Sequence, residues 1–576
     1  MPFDGTLDFV RALEAEGELR RISVEVNPVL EMTAMADRLV KSGGPAVVFD
    51  NATGSQFSVA IGMYGSDKRM AMALGVTSLD DAAKRIADLV ALPSTMPPTM
   101  LGKAMLLPGL AKIGRDAAPR IVSKGRCQDI VWQGDDVKLT ALPVLKCWPL
   151  DGGRFITLPM VFTKDPVSGS RNVGMYRVQV YDDKTAGMHW QRHKVGSRHH
   201  AEYEAQNKPI PVAVALGGDP CYAYAATAPL PDGIDEMAFA GFLRKKPVDM
   251  VRCKTVDIEV PADCDFVLEG FVAPSDRRIE GPFGDHTGFY TLEEPYPVFH
   301  ITAITMRSDA IYPATIVGRP PMEDGWLGKA TERLFLPLVR LFVPEIIDYN
   351  LPVEGTFHHV AIVKIRKRFP GHARKVMHAL WGLGQMMFSK IIIVVDESVD
   401  VQNLGEVLWA VSNNIDPQRV VLLGGGGAGS AVAHALLVAG TRELVIVDQD
   451  AQRAATLAAR LHGFFPDRLV TGSSDVSQVM PGASGLVHAT PTGMDGHPGL
   501  PLPEALLHGG LWVAEVVYFP LETELLQLAR QRGCRVLDGG GMAVWQAIGA
   551  FQLFTGQQPD TARMERHFRS MIAAQS

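Results

Sequence analysis

The 576-residue chain has few cysteines and no pair of them at the spacing that metal sites or redox motifs use. Its six cysteines are scattered, and none forms a Cys-x-x-Cys pair. This excludes a disulfide framework and a thiolate zinc site as working hypotheses. Free cysteines suit a reducing compartment, so we expect a cytoplasmic protein.

Long apolar runs and an excess of basic charge are also missing. Apolar stretches such as "KIIIVV" are far shorter than the roughly 20 residues of a membrane span. The N-terminal "MPFDGTLDFVRALEAEGELRR" lacks the apolar centre of a signal peptide. A net charge of −7 offers no basic face for nucleic acid. We therefore expect neither a nucleic-acid partner nor an integral membrane segment.

What is present is the composition of a multidomain globular protein, with 47% hydrophobic and 21% charged residues. Residues 1–115 alternate helical patterns ("LDFVRALEAEGEL", "SLDDAAKRIADLV") with a buried strand ("PAVVFD"), which predicts an N-terminal α/β domain. The Pro- and Met-rich stretch "LPSTMPPTMLGKAMLLPG" is expected to be a connector.

The next two segments differ in their pattern. Residues 116–318 are mostly extended, with strands such as "ITLPMVFTKD", "NVGMYRVQVYDD" and "PVAVALGG" between turn residues, which predicts a barrel. Residues 319–419 alternate helices such as "GKATERLFLPLVRLFV" with strands such as "HHVAIVKI" and "KIIIVVD". That alternation predicts an α/β layer, so the fold class is a multidomain combination of α/β and α+β.

Residues 420–576 begin with a glycine-rich turn between a strand and a helix, "VVLLGGGGAGSAVAHALLVAG". Such glycines allow a tight turn and close approach of a pyrophosphate to the helix N-terminus. Asp448 ends the following strand, where an acid accepts from a ribose 2′-hydroxyl and repels a 2′-phosphate. This predicts a Rossmann-type domain that binds NAD in preference to NADP. Arg453 is near enough to weaken that preference.

Residues 420–570 resemble the C-terminal half of the shikimate/quinate dehydrogenase family. The resemblance rests on "GGGGAG", "HATPTGM", "VVYFPLETELLQLARQRGC", "DGGGMAVWQA" and "AFQLFTG". It implies a substrate-facing role for Tyr518 and Gln546. It also implies NAD contacts from Gly424, Gly425, Gly426, Gly427, Ala428, Gly429, Asp448, Gln449, Arg453, Thr490, Val516 and Gly539. The family's Ser-x-Ser clamp and its Asn-Val-Thr-x-Pro-x-Lys segment do not occur in residues 1–419.

Three stretches of the first 419 residues carry candidate chemistry. In "RRIEGPFGDHTGFY", Glu280 and Asp285 flank a Gly-Pro turn, and paired carboxylates suit proton donation, although a solvated acidic loop fits the spacing equally. The stretch "SRNVGMYRVQVYDDKTAGMHWQRHKVGSRHH" concentrates Asn, His, Arg and Lys, which suit a divalent metal and a phosphate or carboxylate, or else form a basic surface strand. Glu236 precedes "MAFAG", where an acid is commonly a helix-terminal residue.

Together these stretches resemble the UbiD family of decarboxylases, which use prenylated FMN. The motifs "NVGMYRVQV", "HWQRHK", "DEMAFAGFLR", "DIEVPADCDFVLEG", "EGPFGDHTGFY", "IVGRPPMED" and "FPGHARKVMHALWG" span about residues 5–419. The resemblance implies a split β-barrel that binds the flavin, a homo-oligomer, and a flavin prenyltransferase as the source of the cofactor. It implies Asn172, His193 and Glu236 as ligands of Mn²⁺ or Mg²⁺, with K⁺ as a further candidate ion. The flavin-lining residues would be Met175, Tyr176, Arg177, His189, Trp190, Gln191 and Lys194.

The same resemblance implies a catalytic network of Arg177, Glu280 and Asp285. Loss of CO₂ leaves a carbanion that no side chain can hold, so a cofactor must accept the electrons. Arg177 would hold the leaving carboxylate, Asp285 would protonate the carbon, and Glu280 would tune that acid. We therefore expect reversible, non-oxidative decarboxylation of an aromatic or α,β-unsaturated acid similar to 4-hydroxybenzoate.

The two resemblances meet without a linker, because "NNIDPQR" runs directly into "VVLLGGGG". One hypothesis is that "RVVLL" occupies the last strand position of the preceding α/β layer before turning into its own sheet. Three interpretations stay open. The chain is a decarboxylase with an appended NAD-binding module, an NAD-dependent oxidoreductase of shikimate-type or quinate-type substrates, or an inactive fusion.

Overall fold

The computed structural model describes residues 2–95, 100–369, 371–414, 419–555, 557 and 559–573. The chain forms two compact units, residues 1–410 and 411–576. Within the described residues, no helix combines the length and apolar character that a membrane crossing requires. The finer division into four domains at residues 115, 318 and 419 stays a prediction.

The first unit begins with helices packed on a small sheet. Its elements are α1 (Thr6–Ala15), β1 (Leu19–Val26), α2 (Glu31–Lys41), β2 (Ala46–Ala52), β3 (Val59–Ile61), α3 (Asp67–Ala73), α4 (Leu79–Thr95) and α5 (Met100–Ala117). The two helices and the strand expected here are present. The expected connector is wrong from Met100 onward, because α5 occupies it. Met, Leu, Ala and Lys are strong helix formers, and they outweigh the single Pro108. Residues 96–99 of that stretch lie outside the described residues.

The middle of the first unit is rich in strands. Its elements are β4 (Arg120–Val122), β5 (Ile130–Gln133), β6 (Arg154–Ile156), β7 (Met160–Lys164), β8 (Arg171–Gly174), β9 (Val178–Val180), β10 (Thr185–Met188), α6 (Val195–Ala205), β11 (Ile210–Leu216), α7 (Pro220–Thr227), α8 (Glu236–Arg244), β12 (Asp249–Arg252), β13 (Glu259–Pro261), β14 (Phe266–Glu280), β15 (Phe283–Gly284), β16 (Tyr290–Thr291), β17 (Glu294–Met306) and β18 (Tyr312–Ala314). Strand β18 returns to the first sheet, whose order is β1-β2-β3-β18.

The largest sheet is antiparallel and runs in the order β6-β9-β10-β17-β14-β11-β7-β8, with β5 paired to β17. Strand β8 lies at one edge, whereas β9 is next to the opposite edge. Only residues 175–177 join them, and three residues let Gly174 and Val178 lie at most about 14 Å apart. The sheet must therefore curl until its edges approach, as the expected barrel requires. Along the described chain, edge strands β6 and β8 do not pair with each other.

This crossover corrects one expectation. The stretch "NVGMYRVQVYDD" was expected to be a single strand, but residues 175–177 interrupt it between β8 and β9. Alternation of apolar side chains continues across the break, so the pattern does not show that the chain changes its pairing partner there. We call residues 175–177 the crossover segment.

The first unit ends in an α/β layer, as expected. Its elements are α9 (Asp324–Phe342), β19 (Ile346–Asn350), β20 (Val360–Ile365), α10 (His372–Trp381), β21 (Ile391–Asp396) and α11 (Leu404–Asn414). The sheet order is β19-β20-β21. Val339 of α9, Ala361 of β20 and Val376 of α10 belong to one buried cluster. The border between the two units falls inside α11.

The second unit is built on a parallel sheet. Its elements are β22 (Arg419–Leu423), α12 (Gly427–Val438), β23 (Glu443–Val447), α13 (Ala451–Phe464), β24 (Leu469–Ser473), α14 (Val476–Val479), β25 (Gly485–His488), β26 (Trp512–Glu515), α15 (Glu524–Gln531), β27 (Arg535–Leu537), α16 (Gly540–Thr555) and α17 (Thr561–Ala573). The strand order is β24-β23-β22-β25-β26-β27. The order therefore changes direction between β22 and β25, where the strand ends of such sheets leave a crevice.

The hypothesis that "RVVLL" extends the preceding layer is wrong. Strand β22 pairs with β23 on one side and β25 on the other, in the centre of its own sheet. Residues 420–423 are all buried, and alternate ones belong to two different apolar clusters. A strand that is apolar on both faces needs cover on both, which a central position in a parallel sheet provides.

Candidate active site

An arginine and a fully buried glutamate form the centre of the site in the first unit. Arg177 ends the crossover segment, and Glu280 ends β14. The guanidinium donates from Nε to Glu280 Oε1 at 2.6 Å and from Nη2 to Oε2 at 2.9 Å, so the pair is bidentate. Burial alone would raise the pKa of Glu280, but the hydrogen bonds from Arg177 and His189 outweigh it and lower that pKa. Glu280 is therefore a carboxylate.

His189 and Trp190 lie beside this pair because they follow β10, which is paired with β9 and β17. His189 Nδ1 is 3.3 Å from Glu280 Oε2, and its ring centroid is 4.2 Å from that of Tyr296. Trp190 is buried, and its indole nitrogen has no hydrogen-bond partner among the described residues. A buried donor without a partner fits a site that a ligand completes.

Asp285 lies on the other side of Arg177, in the turn between β15 and β16. Arg177 Nη1 is 3.3 Å from Asp285 Oδ2. Asp285 Oδ1 accepts from the backbone N–H of His286 and lies 2.7 Å from the His286 Nδ1. Burial would raise the pKa of Asp285, but the contacts with His286 and Arg177 lower it. The residue expected to be an acid is thus ionised at rest.

His286 is a member of this network that the sequence did not indicate. Burial lowers its pKa, but the hydrogen bond and the charge of Asp285, together with the charge of Asp324, outweigh burial and raise that pKa. The only signal in the sequence was the position of His286 directly after Asp285 in "EGPFGDHTGFY".

The expected metal ligands Asn172 and Glu236 lie on neighbouring elements. Asn172 is in β8, and Glu236 is the first residue of α8, whose N-terminus is capped by Asp235 through the N–H groups of Met237 and Ala238. Glu236 Oε2 accepts from the N–H of Val173, the residue after Asn172, at 3.0 Å. The two side chains are therefore held in one region.

The chemistry of these two side chains fits a cation. Burial raises the pKa of Glu236 to about 7, because nearby charges compensate little of it. The Asn172 Nδ2 is buried and has no partner among the described residues. Rotation of an amide by 180° exchanges its oxygen and nitrogen, so the free end can present the oxygen that a hard cation prefers.

The other residues expected around the flavin differ in their exposure. Tyr176 is buried and folds back over Gly174, and Met175 packs against the core. Lys194 occupies the N-cap position of α6 without a side-chain capping hydrogen bond, and burial lowers its pKa. Gln191 and His193 are exposed, and the His193 ring lies 4.8 Å from that of Phe388. In the parts of the chain that the structure describes, no three His, Cys, Asp or Glu side chains form a metal-binding group, so a ligand role for His193 stays a prediction.

The glycine-rich turn of the second unit has the tight geometry expected from its sequence. Gly424 adopts φ 103°, a conformation that favours glycine. A Cβ on Gly429 would lie 1.8 Å from the Gly424 carbonyl oxygen, whereas one on Gly426 or Gly427 would meet nothing within 4 Å. The turn leads directly into the N-terminus of α12.

Asp448 follows β23 and closes the other side of this turn. It accepts from the N–H of Gly425 at 2.8 Å, and Arg453 Nη1 is 3.4 Å from its Oδ1. Burial would raise the pKa of Asp448, but the contacts with Gly425, Asp450 and Arg453 lower it. An acid and a cation thus share the corner where the sequence predicts the ribose. The neighbouring Gln449 is exposed.

The remaining expected NAD contacts lie at the ends of β25, β26 and β27. Thr490 Oγ1 is 2.5 Å from the Nε2 of buried His488, whose Nδ1 is 2.8 Å from Glu515. Gly539 approaches the backbone so closely that a Cβ would lie 2.7 Å from the Val516 carbonyl oxygen. The side chains expected to face a substrate, Tyr518 and Gln546, are exposed.

Comparison with models of known families matches the first part of the chain to one family and a short C-terminal stretch to another. Three models of the 3-octaprenyl-4-hydroxybenzoate carboxy-lyase match: its N-terminal domain at residues 10–90, its Rift-related domain at 120–320 and its C-terminal domain at 325–448. The C-terminal domain of shikimate 5′-dehydrogenase matches at 539–567 only. The third match extends past residue 419 into β22–β23, but the hydrogen bonding of β22 assigns that strand to the second sheet.

Relatives agree with these matches. A protein of Archaeoglobus fulgidus is 49% identical over 425 residues, covering 73% of this chain and 86% of its own. The vanillic acid decarboxylase of Sedimentibacter hydroxybenzoicus is 29% identical with a TM-score of 0.64, over 72% of this chain and 85% of its own. An evolved dimeric form of HmfF from Pelotomaculum thermopropionicum, solved with prenylated FMN, is 27% identical with a TM-score of 0.62, over 71% of this chain and 90% of its own. By its three matched domains and these relatives, the chain belongs to the UbiD carboxy-lyase family.

Proposed function

We propose that the first unit decarboxylates an aromatic or α,β-unsaturated carboxylic acid of the 4-hydroxybenzoate kind, reversibly and without net oxidation. The observation that carries this proposal is the guanidinium of Arg177 held between Glu280 and Asp285. Because its Nη1 contact with Asp285 is longer, at 3.3 Å, than its bonds to Glu280, that edge is the one a substrate carboxylate can share.

Prenylated FMN is the cofactor we propose. The HmfF relative was solved with it, and in this chain Arg177 offers a cation, Trp190 a buried ring with an unpaired N–H, and Lys194 a half-buried amine. When bound, the prenylated flavin supplies the electron sink that a departing CO₂ requires. Glu280 keeps Arg177 oriented, and Arg177 holds the carboxylate in place until it leaves.

A divalent metal is the second component of the proposal. Asn172 and Glu236, with His193 as a third candidate, would hold Mn²⁺ or Mg²⁺, and K⁺ is a further candidate ion. A flavin phosphate would complete such a coordination sphere, because hard cations are commonly shared between carboxylates and phosphates. Burial raises the pKa of Glu236 to about 7, so a bound cation would stabilise its ionised form.

The second unit is proposed as an appended Rossmann-type module that binds NAD. The turn at Gly424, the N-terminus of α12 and Asp448 support this, since they offer N–H donors for a pyrophosphate and an acceptor for a ribose hydroxyl. The module lacks a lysine acid/base of the dehydrogenase type, so we propose binding rather than oxidation of quinate or shikimate.

Expression together with a flavin prenyltransferase tests the proposal. We expect a coloured protein with bound flavin and one equivalent of manganese, measured by absorbance and by mass spectrometry of metals. It should release CO₂ from at least one of 4-hydroxybenzoate, 3,4-dihydroxybenzoate, vanillate and cinnamate. A colourless, metal-free protein that leaves all four acids intact would favour an inactive fusion instead, and NAD-linked oxidation of quinate would favour the oxidoreductase.

A further inference from the structure

A carboxylate, an imidazole and a hydroxyl form a chain of hydrogen bonds where β25 and β26 end in the second unit. The side chains of Glu515 and His488 are fully buried, and the Nδ1 of His488 lies 2.8 and 3.0 Å from the two Glu515 oxygens. The Nε2 of the same ring lies 2.5 Å from the Oγ1 of Thr490, which is half-buried. We call Glu515, His488 and Thr490 the hydroxyl relay.

Glu515 determines which ring nitrogen of the relay carries the proton. Its Oε1 also accepts from the N–H of Val517, and its Oε2 accepts from the hydroxyl of Thr523, both at 3.0 Å. The Thr523 oxygen in turn accepts from the N–H of Leu526 as the N-cap of α15, so its proton is free for Glu515. A carboxylate with donors at both oxygens acts only as an acceptor. The single ring proton of His488 therefore lies on Nδ1, facing Glu515.

This assignment fixes the direction of the Thr490 hydroxyl. An imidazole with its proton on Nδ1 carries its lone pair at Nε2, so Nε2 accepts from Thr490. A second acceptor, the Thr492 Oγ1, lies farther away at 3.3 Å, and the one hydroxyl proton goes to the closer partner. The Thr492 N–H, at 3.4 Å, takes at most one of the two lone pairs of the Thr490 oxygen. Thr490 is thus left with a free acceptor and no free donor.

The relay ends beside the glycine-rich turn. A Cβ on Gly424 would lie 3.1 Å from the Cγ2 of Thr490, so the two residues are direct neighbours. The strand order changes direction between β22 and β25, and dinucleotides bind across the crevice at such a point. Asp448 is on the β23 side of the turn, where the adenosine ribose is proposed to bind. The nicotinamide half then belongs on the β25 side, which is where Thr490 lies.

We propose that Glu515 and His488 are positioning residues that turn the proton of Thr490 inward, so that the Thr490 oxygen accepts a hydrogen bond from the nicotinamide half of NAD. This inference rests on the proposed binding of NAD and adds what the site recognises. The nicotinamide half carries two kinds of donor, the N–H of its carboxamide and the O–H of its ribose, and either one fits a hydroxyl that can only accept.

Titration calorimetry of the full chain with ADP, ADP-ribose and NAD tests this recognition. Thr490→Val keeps the shape but removes the acceptor, so it should weaken NAD binding about tenfold and leave ADP binding unchanged. ADP-ribose distinguishes the two donors, because it has the ribose but no carboxamide. Weakened ADP-ribose binding identifies the ribose hydroxyl, and unchanged binding identifies the carboxamide. Unchanged NAD affinity, or an equal loss for ADP, would overturn the inference.

Three further variants separate the direction of the hydroxyl from its presence. Thr490→Ser keeps the hydroxyl and should bind NAD as the parent does. Thr555→Val, at the exposed far end of α16, is the matched control and should also be unchanged. Glu515→Gln can donate to Nδ1, which moves the ring proton to Nε2 and reverses Thr490, so it should weaken NAD binding as Thr490→Val does. Parental NAD affinity in Glu515→Gln would overturn the positioning role.

The ring proton can be located without any ligand. In the full chain labelled with ¹⁵N-histidine, the NMR signals that disappear in His488→Gln belong to His488. We expect a protonated Nδ1 and an unprotonated Nε2, with the two exchanged in Glu515→Gln. A protonated Nε2 in the parent would overturn the inference even if NAD binds. A parent chain that binds none of the three ligands would instead contradict the proposed module, and this inference with it.

Discussion

The guanidinium of Arg177 is shared between two carboxylates that differ in burial. The Glu280 side chain is fully buried, whereas that of Asp285 is 21% exposed. A buried charge that loses its partner is costly, so Glu280 and Arg177 depend on each other more than Arg177 and Asp285 do. The Arg177 guanidinium also lies 4.6 Å above the Phe283 ring, which fixes its plane.

We expect Glu280→Gln to lower CO₂ release by about 100-fold or more. Glutamine keeps the size but removes the charge, so Arg177 loses its bidentate acceptor. Flavin content, measured by absorbance, should stay near that of the parent. Glu25→Gln in β1, an exposed glutamate outside the largest sheet, is the control and should be fully active. Undiminished turnover by Glu280→Gln would remove Glu280 from the mechanism.

Glu236→Gln should reduce the manganese content of the purified protein by about tenfold or more, since it replaces a charged ligand by a neutral one. Metal analysis by mass spectrometry measures this. Asp232→Asn changes an exposed acid in the loop before α8 and should leave the metal content unchanged. Equal metal in both variants would show that the cation binds elsewhere.

Which residues lie together could be predicted from motif order, but their protonation could not. Arg177, Glu280 and Asp285 were expected to act together, and the structure places them in contact. His286 was missed because pairing with the adjacent Asp285 depends on side-chain rotamers, which a sequence pattern does not encode. The contacts of Asp285 with His286 and Arg177 also lower its pKa, so the residue that the resemblance implies as proton donor rests as an anion.

At the scale of elements, the glycine-rich turn shows which glycines the fold requires. The glycine positions in this turn differ in which atoms an added Cβ would meet. Gly429 faces the Gly424 carbonyl across the turn, and Gly427 faces open space at the start of α12.

Gly429→Ala should therefore abolish NAD binding, because its Cβ would lie 1.8 Å from the Gly424 oxygen and displace the turn. Gly463→Ala in α13, where a Cβ would meet nothing within 4 Å, is the control and should bind NAD as the parent does, and alanine there should favour the helix slightly. Fluorescence titration with NAD measures both. Equal affinity in the two variants would mean that NAD does not use this turn.

Helices with an amphipathic period were predicted well, but a fully buried helix was not. Helices α1 and α4 show apolar residues on one face, as their sequences indicate. Helix α7 was missed because every residue from Pro220 to Ala226 is buried, so no polar face gives it a helical period. The break at the crossover segment was missed because only tertiary pairing requires it.

At the scale of the whole molecule, two units carry separate ligands in our proposal. Each has its own buried clusters, which in the second unit lie on opposite faces of the six-stranded sheet. The antiparallel barrel and the parallel sheet were both expected from the pattern of strands and helices. The position of β22 was not expected, because a short apolar strand has the same sequence pattern in either sheet.

Calorimetry of the full chain should show two ligand-specific responses. NAD at 100 times its Kd should stabilise one unfolding transition by about 2.7 kcal/mol, and flavin with manganese should stabilise another. Gly429→Ala should abolish the first response and keep the second. A single transition that both ligands shift together would contradict independent units.

The crossover segment has a consequence for how this barrel can vary. Only its three residues join Gly174 to Val178, and the last of them is Arg177. An insertion there would move the cation away from Glu280, whereas the exposed hairpin turn after β7 can lengthen without touching it. Adaptation to new acids must therefore come from side chains and outer loops, while the length of this short span stays constant.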